Sequence, residues 1–399
     1  MRKVVGMTEI KILSGEIIQI LESLLKKSSE LNASDIHVDP TKGETIIRLR
    51  VDGRLQKFDS LPLEKHSELI SRLKILAGLR IDEHFRAQDG RFRFNISENS
   101  FFDVRVSILP TYYGENAVLR LLSDQNESLN LGNLGFDSDD LKKIREAFGK
   151  SSGMILVTGP TGCGKTTTLY SIIKELNKIE DSIITIEDPI EYAISGVRQI
   201  QVDKRGGLDF ANGLRSILRQ DPNIIMVGEI RDNETASMAI NSALTGHLLL
   251  STLHTNDAST SLPRLLDMKI EPFLLASTFR LAINQRLVRK ICTNCKIEVE
   301  FNDSEKEFIN KIIGRTPHAH FNGRGCDHCH GTGFKGRIVI AEVLKNSEEI
   351  CHFVLGRRPS SEIKRAAKSE GMKTLLQDGL DKIEKGETSL EEVLRAIQE

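Results

Sequence analysis

GMILVTGPTGCGKTTTLYSIIKEL, residues 153–176, decides the fold. Met154 to Val157 form an apolar run of strand character, the segment after Lys165 has helical spacing, and Gly159 to Thr166 between them fit G-x-x-x-x-G-K-[ST]. Strand, glycine loop and helix in that order make a P-loop. Gly162 and Gly164 let backbone amides curl round phosphate oxygens, and the helix N-terminus adds its positive dipole end. Lys165 then reaches the terminal phosphates and Thr166 is placed to ligate Mg²⁺. Gly159, Pro160, Thr161, Cys163 and Thr167 complete the phosphate cradle; Cys163 occupies a variable position and has no expected chemistry beyond oxidation if exposed.

Working outward, apolar runs SIITIE (182–187), NIIMVGE (223–229) and HLLLSTL (247–253) alternate with helical stretches at 208–220 and 234–246. Continuous apolar strands between helices predict a mostly parallel sheet covered on both faces, here a P-loop domain over 138–290. A P-loop needs an acidic partner at a neighbouring strand end, and Glu229 supplies it as metal-shell carboxylate and base for water. A second acidic turn, Glu187-Asp188-Pro189-Ile190-Glu191, is stiffened by its proline, which suits orienting Mg²⁺ or water; a solvated turn is the plainer alternative. His247 and His254 bracket one strand, and each is read either as a γ-phosphate sensor or as a structural residue. Arg215 and Arg219, one helical turn apart, either pair with the acidic turns or act in trans as arginine fingers.

The rest of the 399 residues divides into further segments. Residues 1–30 hold one amphipathic helix, with Ile17, Ile20, Leu21, Leu24 and Leu25 on one side and Lys26 and Lys27 on the other; packing on its own domain is the simple reading, a membrane or partner surface the other. Residues 31–122 read as a small α+β domain whose strands carry Arg48, Arg50, Arg91, Arg93, Arg105 and Arg120 at alternating positions, either as a solvated face or as a set of phosphate-holding guanidiniums. A polar, aperiodic stretch marks 123–137 as a linker. Cys292-x-x-Cys295 and Cys326-x-x-Cys329 form two knuckles within 291–345, the spacing of a closed, structural Zn²⁺ site, with His328 and His330 nearby as substitutes. The capping box Thr388-Ser-Leu-Glu391 belongs to a helical subdomain over 346–399.

Composition narrows the function. Lys plus Arg number 55 against 56 for Asp plus Glu, and with no Trp and 4 Tyr the chain lacks both the net charge and the stacking platforms of a nucleic-acid binder. No run reaches the roughly 18 to 20 apolar residues of a membrane span, and the start has no signal-peptide core, so a cytoplasmic setting with reduced cysteines is expected.

Taken in order, SDIHVDP (34–40), RVDGRL (50–55), AQDGR (87–91), VRVSILPTYYGENAVLRLL (104–122), the P-loop, TIEDPIEY, GLRSILRQDPNIIMVGEIRD, ALTGHLLLSTLHTNDA, NQRLVRKIC and the cysteine knuckles make the chain resemble the type II secretion and type IV pilus-assembly ATPases from residue 31 to residue 399. That resemblance implies a RecA-like P-loop domain preceded by a PAS-like α+β domain, an inserted tetracysteine zinc module, and a homo-hexamer using ATP, Mg²⁺ and Zn²⁺. It also implies an aspartate box at Glu187 to Glu191, a Walker B glutamate at Glu229, a histidine box at His247 and His254, and nucleotide-facing Arg105, Arg120, Arg215 and Arg219. The implied partners are an inner-membrane platform protein and the cytoplasmic domain of an accessory protein, reached peripherally at the cytoplasmic face, with no nucleic acid. The cysteine quartet points to the assembly and secretion branch, and the chain reads as a short form without the extra N-terminal domain of longer members. Two rivals stand beside this: a DNA-dependent motor on the same core, and a nucleotide-gated scaffold without turnover.

Overall fold

Ile20, Leu21, Leu24 and Leu25 lie on one side of the helix α1 (Ile17–Glu30), which buries them in the core of the first of two units. Each such side chain contributes about 1.5–3 kcal/mol of burial, so the apolar stripe is spent within its own unit. The computed structural model describes residues 15–97, 100–123, 130–203, 206–313 and 320–398, and the chain divides into units Met1–Ser128 and Leu129–Glu399. Residues 124–129 of the expected linker lie outside the described residues.

The first unit is a six-stranded antiparallel sheet of β1 (Ala33–Pro40), β2 (Glu44–Val51), β3 (Arg54–Pro62), β4 (Gln88–Ser97), β5 (Ser100–Thr111) and β6 (Gly114–Ser123), in the order β3-β2-β1-β6-β5-β4. Helices α1 and α2 (Glu64–Leu76) close its core. Strand alternation sends Ile47, Leu49, Val104, Val106 and Leu119 into that core and the intervening arginines to the other face. There Arg50, Asp35, Arg120, Arg105 and Arg91 stand opposite one another on successive strands, one row across the sheet. Asp35 separates two of the cations, 3.3 Å from Arg50 and 3.2 Å from Arg120.

The second unit carries a seven-stranded sheet. Its strands are β7 (Gly153–Thr158), β8 (Ile183–Glu187), β9 (Arg198–Gln201), β10 (Ile224–Val227), β11 (Leu248–Leu253), β12 (Phe279–Ile291) and, beyond the two-stranded ribbon β13 (Lys296–Val299) and β14 (His320–Gly323), β15 (Phe334–Lys345). The order is β15-β12-β7-β11-β10-β8-β9, parallel except for β15. Helices α3 (Ser138–Phe148) and α4 (Lys165–Leu176) cover one face; α5 (Phe210–Ile217), α6 (Asn233–Leu244), α7 (Ser261–Asp267) and α8 (Pro272–Thr278) cover the other. Burial on both faces explains why β7, β8, β10 and β11 contain no exposed residue.

The end of the chain departs from the segmentation read in sequence. Phe334–Lys345 was assigned to the cysteine module, yet it is the antiparallel edge strand of the large sheet, because Val339, Ala341 and Val343 fill one core while Leu344 fills the other. The cysteine segment is therefore the ribbon with α9 (Asp303–Ile313). Nor do residues 346–399 form a separate layer. Helices α10 (Glu348–Leu355) and α11 (Ser360–Ser369) add Ile350, Val354, Ile363 and Ala367 to the main core. Helices α12 (Leu375–Glu384) and α13 (Leu390–Gln398) pack with Val288, Ile338 and Ile340 of β12 and β15.

Candidate active site

The P-loop joins β7 to α4 at the carboxyl edge of the sheet. Gly159, Gly162 and Gly164 have φ of 133°, 79° and 89°, a region L side chains rarely enter, and a Cβ on Gly159 would stand 2.6 Å from the Gln285 carbonyl. Lys165 Nζ donates to the Gly159 and Pro160 carbonyls at 2.9 and 3.0 Å, and burial pushes its pKa down. Phosphate oxygens are better partners for a desolvated ammonium than two neutral carbonyls, so the side chain is stored where a nucleotide can draw it away. Thr166 lies in the first turn of α4.

Glu229 follows β10. Its position is fixed from the neighbouring strand, where Ser251 and Thr252 hydroxyls donate to the Val227 and Gly228 carbonyls at 2.7 and 2.8 Å. Asp232 caps α6 by accepting from the Thr235 amide at 2.8 Å, closing the loop on its other side. The Glu229 carboxylate is 3.3 Å from His254 Nε2 and 2.5 Å from Arg231 Nη2, and its charge is felt by Lys165. P-loop lysine, strand-end carboxylate and histidine thus share one edge, the arrangement needed to hold a phosphate chain, a metal ion and a water.

The four cysteine sulfurs all lie within 4.8 Å of one another. Cys292–Cys326, Cys295–Cys329 and Cys326–Cys329 are 3.8, 3.8 and 3.7 Å apart. A tetrahedron of Zn–S bonds of ~2.3 Å has edges of ~3.8 Å, so the donor set fits Zn²⁺. Amides of Cys326 and Gly333 donate to Cys329 Sγ at 3.2 Å, as expected around a thiolate. His328 and His330 are exposed and outside the cluster.

A family model described as type II/IV secretion system protein matches residues 13–395. The chain belongs to this family. It is 43% identical over 377 residues to the type IV pilus assembly ATPase PilB of Thermus thermophilus, covering 94% of this chain and 42% of that protein. Against the type II secretion system protein E of Xanthomonas campestris it is 43% identical over 384 residues, covering 96% of this chain and 68% of that one. The chain thus spans less than half the length of the first relative and about two thirds of the second. Among solved structures, the pilus retraction motor PilT with bound ADP matches with a TM-score of 0.62 and 28% identity, covering 94% of this chain and 96% of that one.

Within this secretion-family chain, three groups of expected site residues need correction or qualification. Glu187 was expected beside Mg²⁺ or water. Its carboxylate is 3% exposed and accepts hydrogen bonds from the Tyr170 hydroxyl, from Thr185 Oγ1 at 2.6 Å and from Gln199 Nε2 at 3.2 Å, so it is occupied inside the fold. Burial pushes its pKa up. Asp188, exposed, and Glu191, half-buried, are the members of that turn left near solvent.

His247 was expected with the nucleotide but stands at the amino end of β11, where its Nδ1 meets the Ser242 carbonyl at 2.9 Å. Because β11 runs parallel to β7, His247 and His254 occupy opposite sheet edges, roughly 20 Å apart at ~3.3 Å per residue. Arg215 bonds to Asn212 and Glu234, and Arg219 to the Arg215 carbonyl and Ser216, on an exposed surface. Arg105 and Arg120 lie in the arginine row of the first unit.

Arg231 beside Glu229, and the buried polar residues Asn284, Gln285 and Arg286 of β12, are not among the site residues expected from the sequence. A signal for the triplet was present, since three consecutive polar residues separate the apolar run Leu281–Ile283 from Leu287 and Val288 within one strand.

Proposed function

We propose that this chain is an ATP-hydrolysing, RecA-like motor that powers type II secretion or type IV pilus assembly. The observation that carries the reading is Glu229, held at the P-loop edge 3.3 Å from His254 and close enough to Lys165 to act on it electrostatically. Thr166 and Glu229 would hold Mg²⁺, which neutralises phosphate charge when bound, while Glu229 and His254 orient and deprotonate water. Asp188 and Glu191 extend the acidic rim. Arg105 and Arg120, on a PAS-like first unit, would hold a γ-phosphate, and the exposed Arg215 and Arg219 would make trans contacts in a homo-hexamer.

Zn²⁺ on Cys292, Cys295, Cys326 and Cys329 is structural and favours assembly over retraction. Among the described residues no helix is long and apolar enough to cross a membrane. In this proposal the motor attaches peripherally at the inner membrane through a platform protein and an accessory cytoplasmic domain. Lys165→Ala, checked for folding, is expected to abolish phosphate release; normal steady-state hydrolysis by that variant would sink the reading. Metal analysis should find one zinc per chain, lost with stability in Cys295→Ser.

A further inference from the structure

A phosphate-binding loop works only if its amides point inward, which forces its carbonyls outward to find donors elsewhere. Two of these carbonyls, on Gly159 and Pro160, are held by Lys165, a cation that a nucleotide would claim. The carbonyl of Cys163 is held differently: Gln285 Nε2 donates to it at 2.8 Å, from a side chain with no solvent exposure. The other end of the same amide, Oε1, accepts from Thr168 Oγ1 at 2.8 Å, so one side chain ties the loop to the helix behind it. Gly164 makes room for this, since a Cβ there would stand 3.2 Å from Gln285 Nε2. This tether uses neither Lys165 nor a backbone amide of the loop, the groups a nucleotide would claim.

The neighbours of Gln285 point the other way, as strand alternation requires, and reach the loop after β11 and the last residue of β7. Asn284 Nδ2 donates to Thr158 Oγ1 at 2.9 Å and to the Thr255 carbonyl at 3.2 Å. Arg286 Nη2 donates to the Asn256 carbonyl at 3.3 Å and Nη1 to the Gln285 carbonyl at 3.0 Å. Thr255 and Asn256 directly follow His254, whose ring lies beside Glu229, so these bonds set where the imidazole stands.

Resting on the ATPase reading, we propose that Asn284-Gln285-Arg286 is a two-sided clamp in which Gln285 positions the phosphate loop for nucleotide and Asn284, with Arg286, positions the His254 loop for the chemical step. The three are positioning residues and touch no reacting atom.

The test is ATP affinity by calorimetry, steady-state kcat and KM, and melting temperature, on the full chain. Gln285→Glu keeps the shape but turns the donor into an acceptor facing the Cys163 carbonyl; ATP affinity should fall and KM rise about tenfold or more, with kcat at saturation within about threefold. Asn284→Ala should do the reverse, with affinity within about twofold and kcat down about tenfold. Should Gln285→Glu fail to fold, Thr168→Val removes the second anchor of Gln285 and should weaken ATP binding by about threefold. Unchanged affinity in Gln285→Glu, or the same parameter shifting equally in both variants, overturns the clamp. No ATP binding by the unmutated chain would overturn the nucleotide reading and the clamp with it.

Discussion

Two adjacent parallel strands, β8 and β10, run in register and deliver a glutamate to the same edge of the sheet, yet their carboxylates end in opposite situations. Glu187 is the last residue of β8 and still obeys its alternation, so its side chain lies with Thr185 on the face covered by α4 and meets Tyr170. Glu229 comes two residues after β10 ends, where the Gly228 amide donates to the Ile186 carbonyl at 2.8 Å and the chain turns away. Two residues of strand end separate a carboxylate sealed by three donors from one whose partners, Arg231 and His254, are more than half exposed and replaceable. The contrast is chemical: a carboxylate can serve a metal ion or water only if its present partners cost little to leave.

The sharpest test of this contrast is Glu229→Gln. Turnover should fall about a hundredfold or more, the worth of a general base, while ATP binding persists; phosphate release and calorimetry measure the two, turnover at the native rate would remove Glu229 as the base, and ATP binding without phosphate release by the unmutated chain would favour a binding-only scaffold.

A third glutamate marks the extreme of closure. Glu392, 1% exposed in its side chain, is 2.7 Å from Arg289 and 2.9 Å from Arg395. Burial alone would raise its pKa, but hydrogen bonds from the two guanidiniums hold it down at about 2. A depressed carboxyl contributes stability that is present above its ordinary pKa of 4.5 and is lost as pH falls through the folded value of about 2. Glu392→Gln should therefore lose stability on the order of 3 kcal/mol at neutral pH and flatten the acid limb between those values, read by urea melts across pH.

Glu187→Gln should cost about 1–3 kcal/mol of stability, because an amide brings donors against the Tyr170, Thr185 and Gln199 donors, with turnover of the folded variant within about threefold. A hundredfold loss of turnover at native stability would erase the distinction between β8 and β10. The smallest effect belongs to His247→Ala, within about twofold in turnover, against about tenfold for His254→Ala. Equal losses would mean that the two sheet edges act on one site.

Much of the site was legible because its signals are local. The P-loop is a contiguous strand, loop and helix, and the cysteine pairs announce a metal by spacing alone, which the sulfur separations of 3.7–3.8 Å match. Glu229 was legible as an acid at a strand end. The burial of Glu187 was hidden, since a strand-end residue can follow the pleat or leave it. His247 was misplaced because two histidines flanking a strand are close in sequence but a strand length apart in space.

By itself the sequence determined the parallel α/β core, the phosphate loop and the cysteine quartet, because each is written in residues a few positions apart whose backbone and side-chain geometry needs no distant partner. Only the tertiary structure decided which acid stands open at the P-loop edge, that Phe334–Lys345 completes the large sheet, and that Gln285 braces a loop 122 positions earlier. These depend on contacts made when separate strands are packed side by side, where a single register step or the direction of one strand reverses the side on which a functional group stands.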